Sequence, residues 1–275
     1  MNNICKIFQD CSSDIRHWLA KQPEVKEESM TDRFLFDISE KLSIVRYKQF
    51  SRMEEGRKTG ADWEWWFLFR DRNSFCARVQ AKKLKTNEDN YAGIAYPHPA
   101  KEMLQIDKLI SDSYKNNFAP MYVFYSSESS RYTLCRGRKG DDEGVFISDA
   151  VHLRDEIISK PRKRYLAQNV LQYANPISCL FCCPLADGLT YEGLKKYFSE
   201  YFPTIYYGRI NTKIETDNFI PQGFVKTPDR ILQFMNKESD TWWEKEHWRS
   251  VENTNALLVI DLRNEVKQQQ ENASR

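Results

Sequence analysis

Two short strings of residues hold the side chains best suited to chemistry: Thr59-Gly60-Ala61-Asp62-Trp63-Glu64-Trp65-Trp66 and, further on, Val79-Gln80-Ala81-Lys82. Gln80 and Lys82 are two apart in a run of strand-forming residues, so their side chains emerge on one face. A lysine among Ala77, Val79 and Ala81 is costly in a plain core unless a carboxylate pairs with it. Asp62, just after a glycine where a strand begins, is the expected partner. These parts suit phosphodiester hydrolysis. A hard divalent cation, Mg2+ or Mn2+, needs oxygen ligands. Asp62, the Gln80 side-chain oxygen and the Ala81 carbonyl can supply them. Such a cation activates water and stabilises charge on the scissile phosphate. Lys82 can orient or help deprotonate that water and stabilise the transition state.

The arrangement depends on a hairpin. Trp63 to Arg70 and Phe75 to Lys82 have the aromatic and branched composition of strands, with a turn at Asp71-Arg72-Asn73-Ser74 between them. In an antiparallel pair Asp62 shares a face with Lys82 only if cross-strand partners sum to an even number. A two- or four-residue loop breaks that condition. The mechanism therefore requires a three- or five-residue turn, or a β-bulge.

Ile4, Ile7, Phe8, Ile15, Trp18 and Leu19 predict an amphipathic N-terminal helix, in one or two pieces around Ser12-Ser13. Phe34, Leu35, Ile38 and Leu42 predict a second helix from about Glu24 to Leu42. Lys101 to Tyr114 is expected to be helical, with Met103, Leu104, Leu109 and Ile110 on its buried side, leading to a buried strand at 121–125. Further helices are expected at 149–158, 164–173, 191–201 and 228–236, and buried strands at 176–183 and 256–262. The fold class is α/β (α+β): a mixed sheet flanked by helices. The expected division is an N-terminal helical segment at 1–23, a core at 24–135 and a helical or mixed C-terminal extension at 136–275 packed on that core.

Of the 275 residues 41% are hydrophobic and 29% charged, too apolar for disorder, and the formal net charge is +2. A polyanion would therefore have to be held by local patches: Lys82-Lys83 with Lys85, Arg136-Gly137-Arg138-Lys139, and Lys160 with Arg162-Lys163-Arg164, although for any one of them alone a solvated surface run is the preferred reading. No segment is long and apolar enough to span a bilayer, and Met1 to Leu19 does not have signal-peptide character. Seven cysteines at irregular spacing fit reduced thiols better than a disulfide framework. A cytoplasmic protein is expected.

Several residues carry two readings. Glu64 shares Asp62's face and is a second ligand or a solvated carboxylate. Trp63, Trp65, Trp66 and Phe67 could stack on bases, though core is the preferred reading. Glu54 and Glu55 default to the surface, and Gln105 could reach the cation's water shell. Cys179-x-x-Cys182-Cys183 is half a zinc site without its other half, and buried packing is preferred. The four histidines form no catalytic pattern, and there is no phosphate-binding glycine loop.

Gly-x-Asp, a hairpin and Gln-x-Lys together resemble the PD-(D/E)XK nuclease superfamily, over about residues 24 to 125. The likeness is to its Mrr-type restriction branch, in which Gln replaces the usual acidic residue of the second motif. The two strings also look like an uncharacterised bacterial family. The resemblance implies a restriction-endonuclease-like fold and a divalent-metal-dependent nuclease, with DNA as the expected substrate in a restriction or antiphage setting. It also implies a further ligand from the first core helix: Glu28 is the candidate, and Glu27 its close rival. The alternatives are a catalytically silent nuclease-fold scaffold that binds nucleic acid or protein, and a zinc-stabilised adaptor. A protein partner or self-association stays open.

Overall fold

The computed structural model describes residues 3–49, 60–97, 103–127, 133–134, 142–160, 165–207, 221–236, 254 and 256–264. Two helices open the chain, α1 (Asn3–Lys21) and α2 (Glu27–Lys41), followed by strand β1 (Val45–Gln49). The hairpin comprises β2 (Trp63–Leu68) and β3 (Asn73–Lys83); α3 (Gln105–Lys115) and β4 (Ala119–Tyr125) come next. Beyond them run β5 (Val145–Asp149), α4 (Ala150–Leu153), α5 (Ala167–Leu171), β6 (Ala174–Pro176) and α6 (Cys179–Cys182). Then come α7 (Tyr191–Tyr201), α8 (Pro203–Tyr207), β7 (Phe224–Lys226), α9 (Asp229–Asn236) and β8 (Ala256–Asp261).

Among the described residues the strands form one eight-stranded mixed sheet in the order β1-β8-β2-β3-β4-β5-β6, with β7 pairing β3 beyond the end of β4. β3 is antiparallel to β2 and parallel to β4, and β8 lies parallel to β2. The expected α+β class with a mixed sheet is what the chain adopts. Every described strand after residue 136 joins this same sheet, and β8 lies inside it rather than at its edge.

β2 and β4 are buried at every position, which suits their runs of aromatic and branched residues. Trp63, Trp65 and Phe67 point to one face, where α1, α2, α6 and α7 cover the larger core. Phe8 stacks on Phe181 at 4.0 Å between ring centroids, and Phe75 meets Phe198 at 4.4 Å. Trp66 and Leu68 point the other way, into a smaller cluster with Phe118, Ile231 and Phe234. The preference for core over base stacking at these aromatic positions holds.

The N-terminal helix is as expected and in one piece: α1 is continuous through Ser12, whose buried hydroxyl accepts hydrogen bonds from the amides of Gly144 and Val145. Several sequence expectations need correction. The expected strand at 176–183 is instead the short β6 followed by α6, and Met103 is exposed rather than buried. Cys5 and Cys182 form a disulfide between α1 and α6, against the expectation of reduced thiols, while Cys11, Cys76 and Cys183 keep their thiols. Both bonded cysteines sit on apolar helix faces, so they resemble core residues in sequence, and a separation of 177 residues gives no pattern to read. No helix among the described residues is long and apolar enough to cross a membrane.

Candidate functional site

Register decides the site. Trp63 pairs with Val79 and Leu68 with Ser74, so partners sum to an even number. The turn is the three residues Arg70–Arg72, with Asp71 and Arg72 at positive φ (56° and 57°). Asp62, one residue before β2, thus falls opposite Gln80 and on the same face as Lys82. This is the three-residue solution that the mechanism requires. Phe69 and Asn73 close the loop through a 2.8 Å backbone bond, so the strands reach nearer the turn than the composition suggests.

Gly60 explains why a glycine precedes the aspartate. Its φ is +75°, and a Cβ there would lie 2.9 Å from the Gln105 carbonyl oxygen and 3.1 Å from the Leu109 nitrogen. Only a residue without a side chain fits both the backbone conformation and the contact. The first turn of α3 is thereby brought against the start of β2, which delivers Gln105 to the Gln80 side chain.

The polar groups form a chain. Gln105 Nε2 donates to Gln80 Oε1 at 2.6 Å, and Gln80 Nε2 donates to Asp62 Oδ2 at 2.5 Å and to the Ala81 carbonyl at 3.1 Å. The Ala81 amide also donates to Asp62 Oδ2, at 2.7 Å. Among the described residues both hydrogen bonds to the Asp62 carboxylate go to Oδ2 and none to Oδ1. Lys82 is buried, and its Nζ lies 3.6 Å from Glu27 Oε1. Glu27, in the first turn of α2, accepts a 2.7 Å bond from the Lys83 amide through Oε2. The expected Asp62–Lys82 ion pair is therefore a Glu27–Lys82 pair. Asp62 instead anchors to the Gln80 side chain and the Ala81 backbone, because the pleat presents those donors directly opposite it. Of the two rival helix acids Glu27 touches the site, while Glu28 is exposed and acts on it through charge alone.

The electrostatics follow from burial and crowding. The Asp62 carboxyl is pushed up to about 7 by desolvation, with Glu27 and Glu28 adding to the rise and Lys82 and the Ala81 amide opposing it. Burial also raises Glu27, again against Lys82. Tyr122 on β4 pairs in register with Gln80; its hydroxyl is buried without a hydrogen-bond partner, and burial raises it well above the usual range.

The donor set fits a hard dication. Among the described residues no three carboxylate, imidazole or thiolate groups converge. The available ligands are two carboxylates, Asp62 and Glu27, with neutral oxygens from Gln80 and Ala81. Magnesium-like ions are commonly held by one or two carboxylates and keep several waters. A cation there would relieve the carboxylate crowding that raises Asp62.

Other sequence candidates lie elsewhere. Glu64 is neither ligand nor solvated: it is fully buried, and Arg78 Nη2 lies 3.2 Å from its Oε1. Arg78 also pairs with Asp112 of α3 and sits 4.5 Å from the Phe118 ring centroid. The first basic patch is consumed locally. Lys83 Nζ donates to the carbonyls of Pro23 and Val25, and Lys85 pairs with Glu88 at 3.7 Å. Lys160 pairs with Glu156; Arg136, Arg138, Lys139, Arg162, Lys163, Arg164, Glu54 and Glu55 lie outside the described residues. Cys182 is spent in the disulfide, so Cys179-x-x-Cys182 is not half of a zinc site. The Glu64–Arg78–Asp112 triad and the orphan Tyr122 hydroxyl escape sequence reasoning. A buried arginine two residues before Gln80 is the only hint of the triad.

Fold and site together define an α+β protein whose mixed sheet presents an acid-rich cluster with one buried lysine. The chain belongs to DUF6615, a family of unknown function, whose model matches residues 4–268. No curated protein matches the chain.

Proposed function

We propose that this protein is a divalent-metal-dependent nuclease that hydrolyses phosphodiester bonds, with DNA as the substrate. The carrying observation is the convergence of Asp62, Gln80 and Lys82 on one face of the hairpin, with Glu27 closing the site from α2. The Gly-x-Asp and Gln-x-Lys motifs that resemble PD-(D/E)XK nucleases supply those residues. A bound Mg2+ or Mn2+ supplies the Lewis acidity that charge build-up on a phosphodiester requires. The chain's own groups do the rest. Asp62 offers an unbonded oxygen, and Gln105 orients the Gln80 amide beside it. Glu27 fixes the Lys82 ammonium, which is placed to orient an attacking water and to balance negative charge on the phosphoryl oxygens. Glu28 adds negative charge that acts on Asp62. Cytoplasmic residence and a restriction or antiphage role belong to the same proposal.

The test is cleavage of plasmid and linear DNA with magnesium, manganese or EDTA, comparing wild type with Asp62→Ala and Lys82→Ala. Metal-dependent cutting lost in both variants is expected. A folded wild type that cuts neither DNA nor RNA overturns the proposal in favour of a binding scaffold.

A further inference from the structure

Exposed large apolar side chains are rare here: among the described residues they are Phe36, Tyr96 and Met103, and Tyr96 adjoins the candidate site. Tyr96 is 52% exposed, yet its backbone is pinned on both sides. Its amide donates to the Gly93 carbonyl at 3.3 Å, and its carbonyl accepts from the Gln105 amide at 3.0 Å. Gln105 is the residue that orients Gln80. The ring lies close to Lys82 as well. A Cβ built on Gly93 would sit 3.2 Å from Lys82 Cδ and 3.5 Å from Tyr96 Cε2, so both side chains border one small volume. Gly93 keeps that volume open. Met103, 42% exposed, precedes Leu104, which bridges Pro97 next to Tyr96. Leaving an aromatic ring half in water on a fixed backbone, with no aromatic partner among the described residues, forgoes burial that most large rings obtain.

We infer that Tyr96 is a stacking platform for an unpaired nucleobase next to the scissile phosphate, so that the site takes single-stranded or locally opened nucleic acid. This rests on the phosphodiesterase reading above and adds the substrate class to it. A ring beside the lysine that meets the phosphate is where the base of a nearby nucleotide falls. Every base has a π-face, so the contact selects for an unstacked base rather than for sequence. In duplex DNA the bases are occupied by their neighbours and Tyr96 has nothing to take.

The test uses the full chain and an oligonucleotide carrying one 2-aminopurine, single-stranded or annealed, in calcium buffer. The expected result is quenched fluorescence on binding of the single strand. Tyr96→Ala should lose the quenching and weaken single-strand binding by about 5- to 150-fold. Tyr96→Phe and Tyr96→Trp should retain both, and duplex affinity should not change. An unchanged melting temperature confirms that Tyr96→Ala is folded. Equal single-strand binding by wild type and Tyr96→Ala, an equal loss on duplex, or no single-strand binding by wild type overturns the inference. Parallel magnesium-dependent cleavage separates the two claims. Cutting that ignores Tyr96 sinks the stacking platform alone, whereas Tyr96-dependent binding without cutting sinks the nuclease reading alone.

Discussion

Two charged clusters share one face of the β2–β3 hairpin, a pleat apart, and their wiring is opposite. In the first, the Arg78 guanidinium reaches Glu64 and Asp112 at once and lies against the Phe118 ring. Its acids are spent on a cation that the chain itself provides. In the second, the Lys82 ammonium contacts Glu27, while Asp62 keeps one oxygen unbonded and is driven up to about 7. A forked cation satisfies two carboxylates, whereas a point charge satisfies one and leaves the other available. The first arrangement builds structure and the second is open to a ligand.

Breaking each cluster should separate those roles. Arg78→Ala leaves Glu64 buried without its partner and should cost about 3–5 kcal/mol, read by chemical denaturation. Lys82→Met should cost clearly less than that at pH 6, because Glu27 is partly open to water and the raised Asp62 can hold a proton. Its expected loss is in cleavage, by about 100-fold or more. Equal destabilisation by the two variants would erase the distinction.

Gln105→Ala should weaken manganese binding about tenfold in a calorimetric titration, as loss of a residue that holds a ligand commonly does. A glutamine amide offers nitrogen or oxygen, so Gln105 can hold Gln80 in either orientation. Glu27→Gln should weaken the same binding more than Glu28→Gln, whose effect should stay within about threefold at a screened surface position. The reverse order would return Glu28 to the site.

A further difference between the clusters concerns pH. The folded Asp62 titrates near 7 and an unfolded aspartate near 3.9. The metal-free fold therefore binds the more protons between these values and loses stability as pH rises through that window. Asp62→Asn removes this term. In EDTA its melting temperature should gain on wild type from pH 4 to 7 and run parallel above, by about 2–4 °C per kcal/mol. Saturating magnesium should shrink the gap, and a gap independent of pH would count against the strained carboxylate.

What was legible in the sequence was largely local. The i, i+2 spacing of Gln80 and Lys82 predicts their common face, and the register argument predicts the odd-length turn that Arg70–Arg72 provides. Helical periodicity yields α2 from Phe34, Leu35 and Ile38, and the apolar run at 256–262 yields β8. Long-range pairing is what the sequence hides. Glu64 and Asp62 alternate identically along the chain, and only Asp112, brought across by α3, tells them apart. Glu27 and Glu28 are neighbours in one helical turn, so the tilt of α2 against β3 chooses between them. The Cys5–Cys182 bond and the orphan Tyr122 hydroxyl likewise depend on which elements meet.

The position of β8 has a consequence for synthesis. Residues 256–261 lie between β1 and β2, so on the ribosome both neighbours wait with open edges until the last strand of the sheet emerges. The hairpin carrying Asp62 and Lys82 can close early, but the sheet that backs it cannot. A nascent chain stalled short of residue 256 would leave the β2 edge uncovered and prone to pair with other chains. Maturation of the candidate site is thereby tied to translation of the described strand farthest from it in sequence.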